Sequence, residues 1–270
     1  MQNAARRKRI RGYIQLSAIA ILCAFTVFLD FADIAFSKDE FYDRMICKII
    51  QQGCGSIAGI IILLRLDIRL LDKPQNLLYM LPCLLIAVDN FQFSAYFSGK
   101  MELARTEPCD FIIFFVYCML VGLFEEIVFR GIVFAVLAGL FGRDRKGLLY
   151  TYVSASFVFG LAHLFNGLSF GSLLQAGYTV LTGGLFAFCL LKTKNIFCCA
   201  LTHGAFNFCG LLFDAQGLGK GVVFDTGTVV TMVIVSVVIG IFVLYKVWKY
   251  PEKEREELYG RLGLTKNIEE

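Results

Sequence analysis

Long apolar runs separated by short polar breaks constrain this chain more than any other feature. A helix needs about 20 apolar residues to cross a hydrocarbon core roughly 30 Å thick. Eight runs meet that length, at 12–36, 45–64, 77–97, 111–141, 147–166, 172–191, 196–213 and 228–247. With 57% hydrophobic residues among 270 and only four prolines, the apolar share lies well above that of a water-soluble domain. The expected fold is all-α, a polytopic membrane bundle of about eight transmembrane helices.

Lys and Arg near span ends stay cytoplasmic, so the basic loops set the orientation. An inside N-terminus places Arg6, Arg7, Lys8, Arg9 and Arg11 in the cytoplasm, then Arg65, Arg69, Lys73, Arg143, Arg145, Lys146, Lys192, Lys194 and the tail from Lys246. It leaves Lys38, Arg44, Lys48, Lys100, Arg105 and Lys220 outside. Both termini are therefore expected to be cytoplasmic. The net charge of +4 is accounted for by a basic rim beside anionic lipid, without nucleic acid. The start, MQNAARRKRIRGYIQLSAIAILCAF, has the charged head and apolar run of a secretory signal. No A-x-A-like site follows it, so it reads as an uncleaved first span.

The ten cysteines include no C-x-x-C pair and no zinc-knuckle spacing; most sit within spans and read as small buried apolar residues. The tail 248–270 reads as a charged surface helix.

Ionisable groups inside a bilayer are rare and mark working sites. The fourth span contains VGLFEEIVFRG at 121–131, with Glu125, Glu126 and Arg130. Residues four apart share a helix face, so Glu126 and Arg130 can pair. Glu125 points about 100° away and has no partner on its own helix. The two histidines of the chain both lie in spans: FVFGLAHLF places Phe159 one turn before His163, and LTHGAFNF places His203 one turn before Asn207. At about 1.5 Å per residue, His203 lies roughly 10 Å and His163 roughly 24 Å from the cytoplasmic start of its span, so a shared site requires tilted or projecting helices.

E-E-x-x-x-R at Glu125, Glu126 and Arg130, F-x-x-x-H at Phe159 and His163, and H-x-x-x-N at His203 and Asn207 resemble, in order, the three motifs of the CAAX protease and bacteriocin-processing (CPBP, Abi) family of intramembrane proteases. The resemblance covers roughly 110–213. It implies hydrolysis of a peptide bond in a membrane-associated protein or peptide, lipidated or not, as in CAAX-type processing, bacteriocin maturation or self-immunity. The organisation expected is three N-terminal transmembrane helices in 1–110, a four-helix protease core in 111–213, an outer loop and last transmembrane helix in 214–247, and a cytoplasmic tail in 248–270. A compact chain with short loops points to a bacterial plasma membrane.

Amide hydrolysis needs a base for water, donors for the oxyanion and an acid for the leaving amine. Glu125 suits the base, His163 can orient the water or protonate the amine, and His203 and Asn207 can donate to the oxyanion. Glu126 and Arg130 would brace the helix, and Phe159 would pack the imidazole of His163. Alternatively Glu125, His163 and His203 form a two-His, one-carboxylate Zn2+ set with an open position. The choice between zinc and carboxylate-activated water is open at this point, although H-E-x-x-H is absent.

Two other classes compete: a proton-coupled carrier relaying through Glu125, His163 and Asp89, for which no internal repeat is found, and a non-catalytic immunity or binding protein. GLSFG at 167–171 fits G-x-S-x-G around Ser169, but no strand precedes it and it reads as a glycine-rich turn. Asp89 is either a lining residue of the same cavity or a structural polar group. GSIAG at 55–59 is a small-residue packing face.

Overall fold

The apolar runs become helices, and among the described residues no strand forms; a lone antiparallel bridge joins Leu103 to Gly219. The computed structural model describes residues 37–166, 170–221 and 225–264. The expected span 12–36, its basic head and Ser169 lie outside them.

The helices are α1 (Glu40–Arg65), α2 (Leu81–Asp89), α3 (Phe93–Phe97), α4 (Pro108–Glu126), α5 (Phe134–Phe141), α6 (Arg145–Ala162), α7 (Phe170–Thr193), α8 (Ile196–Leu211), α9 (Thr226–Trp248) and α10 (Glu252–Arg261). A 3-10 turn over Leu77–Met80 leads into α2, and a second over His163–Asn166 follows α6. A π-helical segment, Ile127–Val133, joins α4 to α5 into one run. Five stretches are long and apolar enough to cross a membrane: Glu40–Arg65, Leu77–Phe97, Pro108–Phe141, Ala176–Thr193 and Thr226–Trp248. Ile196–Leu211 is apolar but shorter. The chain is thus a multi-pass membrane bundle. Helix α9 exposes Val233, Ile234, Val237, Val238, Ile241 and Leu244, the surface expected to face lipid tails.

The run 77–97 is not one rod. Helix α2 stops at Asp89, Gln92 takes a left-handed conformation at φ 62°, and α3 restarts at Phe93. The cause is local polarity, since the buried Asn90 amide turns away to donate to the Phe206 carbonyl of α8 at 3.1 Å. Irregular backbone at membrane depth is tolerated where protein surrounds it.

The charged tail does not lie free on the surface. Leu258 and Tyr259 of α10 are fully buried, and the Tyr259 hydroxyl donates to the Gly142 carbonyl at 2.7 Å. The acids of α10 meet the basic loops that the charge pattern groups together: Lys192–Glu254 at 2.9 Å, Lys194–Glu257 at 3.0 Å and Arg143–Glu256 at 2.9 Å. The first two of these contacts meet at the corner between α7 and α8. There Lys194 adopts φ 51°, which is uncommon without glycine, and its ammonium also donates to Gln75 Oε1 at 2.8 Å. The Asn195 side chain accepts from the Cys198 amide at 3.0 Å, capping α8, and donates to the Asp72 carbonyl at 2.7 Å. The start of α8 is thereby fixed from several sides.

At the opposite end, Asp225 caps α9. Hydrogen bonds from the Thr228 backbone amide, Lys100 and Ser94 hold its carboxyl down to about 2. A depressed acid stabilises the fold above its unfolded value, and that contribution is lost as pH falls through the folded one. Thermal unfolding in detergent should therefore show a wild-type excess over Asp225→Asn that is full at pH 5 and shrinks as pH falls from about 4 towards 2. An excess constant with pH would contradict the cap.

Candidate active site

The centre of the molecule is built where α4 gives way to the π segment. A π turn inserts an extra residue and re-aims the side chains beyond it, a device frequent at functional sites. Here it separates Glu126, the last residue of α4, from Arg130. Both are buried, and Arg130 Nε lies 3.1 Å from Glu126 Oε2. The expected ion pair forms. Arg130 Nη2 also donates to the Gly183 carbonyl of α7 at 2.9 Å, and the guanidinium lies 4.3 Å from the Phe159 ring centroid.

The second oxygen of Glu126 does something the i, i+4 pattern did not indicate. Oε1 lies 2.8 Å from Nδ1 of His203, which is itself buried. A carboxylate accepts, so Nδ1 carries a hydrogen and Nε2 faces the other way. There it stands 3.7 Å from Glu125 Oε2, beyond hydrogen-bond reach. Glu125 is the more open of the two acids, with 26% of its side chain exposed against none for Glu126. Its Oε2 is buried without a hydrogen-bond partner. His203 thus lies between two adjacent glutamates on one helix, hydrogen-bonded to Glu126 and 3.7 Å from Glu125.

Close helix contact makes this possible. A Cβ at Gly122 would stand 2.7 Å from the Gly204 amide nitrogen, and one at Gly204 would stand 2.7 Å from the Met119 sulfur. Only glycine at both positions lets α4 and α8 approach closely enough for the imidazole to reach the carboxylate.

His163 ends α6, and its Nδ1 lies 2.9 Å from the Phe159 carbonyl. A carbonyl only accepts, so Nδ1 is the donor and Nε2 faces the other way. The Phe159 ring meets His163 edge-on at 4.9 Å and His203 edge-on at 5.7 Å. It therefore sits between the two histidines rather than packing one alone. The Asn207 side chain, half-buried one turn beyond His203, makes no hydrogen bond among the described residues. Asp89 stands at the end of α2, where its neighbour Asn90, not Asp89, reaches α8.

Phe186 was not singled out by the sequence. It is 1% exposed and stacks on the His203 ring at 4.6 Å with an interplanar angle of 20°. No motif carries it; only its place beside Gly183 and Gly184, within reach of Arg130, sets it apart from the other phenylalanines. Phe186→Leu removes the stacked face that fixes the His203 ring and should lower turnover, with Phe186→Tyr restoring it; kcat with a fluorogenic peptide checks this.

Among the described residues no three His, Cys, Asp or Glu side chains are grouped so as to hold a metal ion. The set Glu125, His163 and His203 is not among such groups: Glu125 Oε2 stands 3.7 Å from His203 Nε2, and the two histidines each meet the Phe159 ring.

Residues 107–209 match the family model described as Type II CAAX prenyl endopeptidase Rce1-like. The matched stretch contains all seven motif residues from Glu125 to Asn207. It supports a CAAX-type protease of the membrane, acting on a peptide or protein. No curated protein and no solved structure matches the chain.

Proposed function

We propose that this chain, whose residues 107–209 are similar to the type II CAAX prenyl endopeptidases, is an endopeptidase that cuts a membrane-anchored protein or peptide with water activated by Glu125. The observation that carries the reading is His203 clamped between Glu126 and Glu125.

His203 Nδ1 is held by Glu126, and Nε2 is directed to the Glu125 side. A substrate carbonyl entering there would accept a hydrogen bond from Nε2, which strengthens as negative charge develops on its oxygen. The Asn207 amide, free of other partners, would supply a second donor. Glu125 takes a proton from water as the water oxygen attacks the carbonyl carbon. Collapse of the tetrahedral intermediate breaks the C–N bond, and the amine leaves with a proton from Glu125 or through His163, whose free Nε2 can carry one. Arg130 reacts with nothing; it holds Glu126 in place.

The basic loops and α10 would face the cytoplasm, where a C-terminal tripeptide of an anchored protein is presented. The test uses the purified protein in lipid vesicles with two fluorogenic peptides, one ending in a prenylated Cys followed by three residues and one lacking the prenyl group. Tripeptide release from the prenylated peptide at more than ten times the rate of its twin is the expected result. Equal release would move the substrate class to unlipidated peptides. No release above that of Glu125→Gln from either peptide would overturn the proposal.

A further inference from the structure

An apolar crevice of about 190 Å³ opens between α6, α7 and α9, away from the catalytic residues, with Ile86 of α2 also lining it. An apolar cavity of about 150 Å³ stays dry and takes a benzene ring, so this one has room for part of a hydrocarbon chain. Phe157, Leu181 and Leu244 line it and are more than half exposed, so it opens to the bilayer and not into the bundle centre. Two glycines make the space. A Cβ at Gly184 would stand 2.9 Å from the Tyr152 hydroxyl, and one at Gly240 would meet nothing within 4 Å.

One polar group distinguishes the crevice from an ordinary lipid-facing groove. Ser156, which also lines it, donates its hydroxyl to the Tyr152 carbonyl at 2.7 Å. The Tyr152 hydroxyl makes no hydrogen bond among the described residues, although Tyr152 is 5% exposed. A hydroxyl left without a partner at membrane depth is costly, so an occupant that brings an acceptor oxygen is favoured.

Charge gathers at one mouth. Where α6 starts and α9 ends, the Arg145 guanidinium lies 4.3 Å from the Trp248 ring centroid and donates to the Trp248 carbonyl. Arg145, Lys146 and Lys249 are exposed there and form no ion pair among the described residues. The neighbouring acid, Asp144, has its Oδ1 engaged by the Gly147 amide at 2.8 Å as the cap of α6. Arg145 precedes Tyr152 by about two turns, roughly 10 Å, and a helical side chain leans towards the N-terminus, which brings the hydroxyl closer to the basic groups.

We propose that the crevice holds one acyl chain of an anionic glycerophospholipid, whose ester carbonyl accepts from the Tyr152 hydroxyl and whose phosphate lies against Arg145, Lys146 and Lys249. The chain fills the space left by Gly184 and Gly240, and the headgroup supplies the counter-charge that the protein does not. The bound lipid backs one wall of the candidate active site. Tyr152, Ser156, Phe159 and His163 share a face of α6, and Gly183, beside Gly184, accepts from Arg130 through its carbonyl. Binding of the lipid does not depend on the peptidase reading.

The experiment places the full chain in phosphatidylcholine vesicles with a trace of phosphatidylglycerol carrying a diazirine on one acyl chain, irradiates, digests and maps the adducts by mass spectrometry. Adducts are expected on Tyr152, Leu185 and Val243 of the crevice in excess over Ile234, Val238 and Ile241, which face lipid on the opposite side of α9. Unlabelled phosphatidylglycerol should compete at least about fivefold better than phosphatidylcholine of the same chains, the preference expected from one basic group near a lipid surface, and Arg145→Ala should remove about that factor. Gly240→Leu fills the space with a better helix former and should abolish the crevice adducts while leaving those on Val238. Tyr152→Phe keeps the ring, should weaken the crevice adducts, and decides the matter if Gly240→Leu does not fold. Adducts spread evenly around α9, equal competition by the two lipids, or labelling of both variants like the wild type overturns the site. Displacement by a farnesylated peptide but not by unlabelled phosphatidylglycerol gives the crevice to a substrate's anchor and overturns it as well.

Discussion

Glu125→Gln is expected to lower peptide cleavage by about 10² to 10⁴-fold, the range contributed by a positioned general base. The substitution keeps the shape of the side chain and removes the group that accepts the water proton. Glu125 makes no ion pair as short as that of Glu126, and its Oε2 has no hydrogen-bond partner, so little of the fold depends on its charge. The variant should therefore accumulate and unfold like the wild type while KM for the prenylated peptide stays within about threefold. A parallel loss of folding would show that Glu125 is structural, and retained turnover would give the base to another residue. Glu126→Gln differs in kind. It breaks contacts to both Arg130 and His203 and should reduce turnover and stability together.

The largest stability loss is expected from Arg130→Ala. Arg130 is 2% exposed and Glu126 is fully buried, so removing the guanidinium leaves a carboxylate charge inside the bundle with only His203 beside it. Breaking a buried pair on one side typically costs about 3–5 kcal/mol, more than the pair itself contributes. Loss of the Phe159 contact and of the Gly183 carbonyl's partner adds to the effect. Arg130→Lys should recover only part, because an ammonium cannot reach the carboxylate, the carbonyl and the ring face at once. Thermal unfolding in detergent of wild type, Arg130→Ala, Glu126→Gln and the double variant forms a cycle that isolates the coupling. A double variant as unstable as the sum of the two singles would show that the pair is not coupled.

Much of this arrangement could be read from residue order alone. The helical class follows from apolar runs of bilayer length, and the Glu126–Arg130 pair from i, i+4 spacing. Of the residues that the three motifs named, Arg130, His163 and His203 meet at the Phe159 ring. What could not be read was which glutamate pairs with which histidine, since that depends on how α4 and α8 cross. The crossing is set by Gly122 and Gly204, whose importance is visible only once the two helices touch. The apparent difference in depth between His163 and His203 has a similar origin. A straight count from span ends assumes upright helices, whereas both rings meet the edges of one phenylalanine. The π segment was hidden because IVFRGIV is as apolar as any helical stretch. The break at Gln92 had a polar signal in Asp89 and Asn90, but not the carbonyl on α8 that Asn90 answers. The docked tail was obscured by its own charges, which suggest solvent until Lys192, Lys194 and Arg143 are seen opposite them.

That docked tail bears on when the molecule becomes competent. Helix α10 is the last of the described helices to leave the ribosome, yet its acids supply the counter-ions for the corner from which α8 and His203 set out. While α10 is still being made, Lys192 and Lys194 lack those counter-ions, and the turn at Lys194 lacks its clasp. Glu125 and Glu126 are threaded into the bilayer well before the corner that starts α8 gains its acidic partners, so that corner is complete only once α10, made after the helices it braces, has docked.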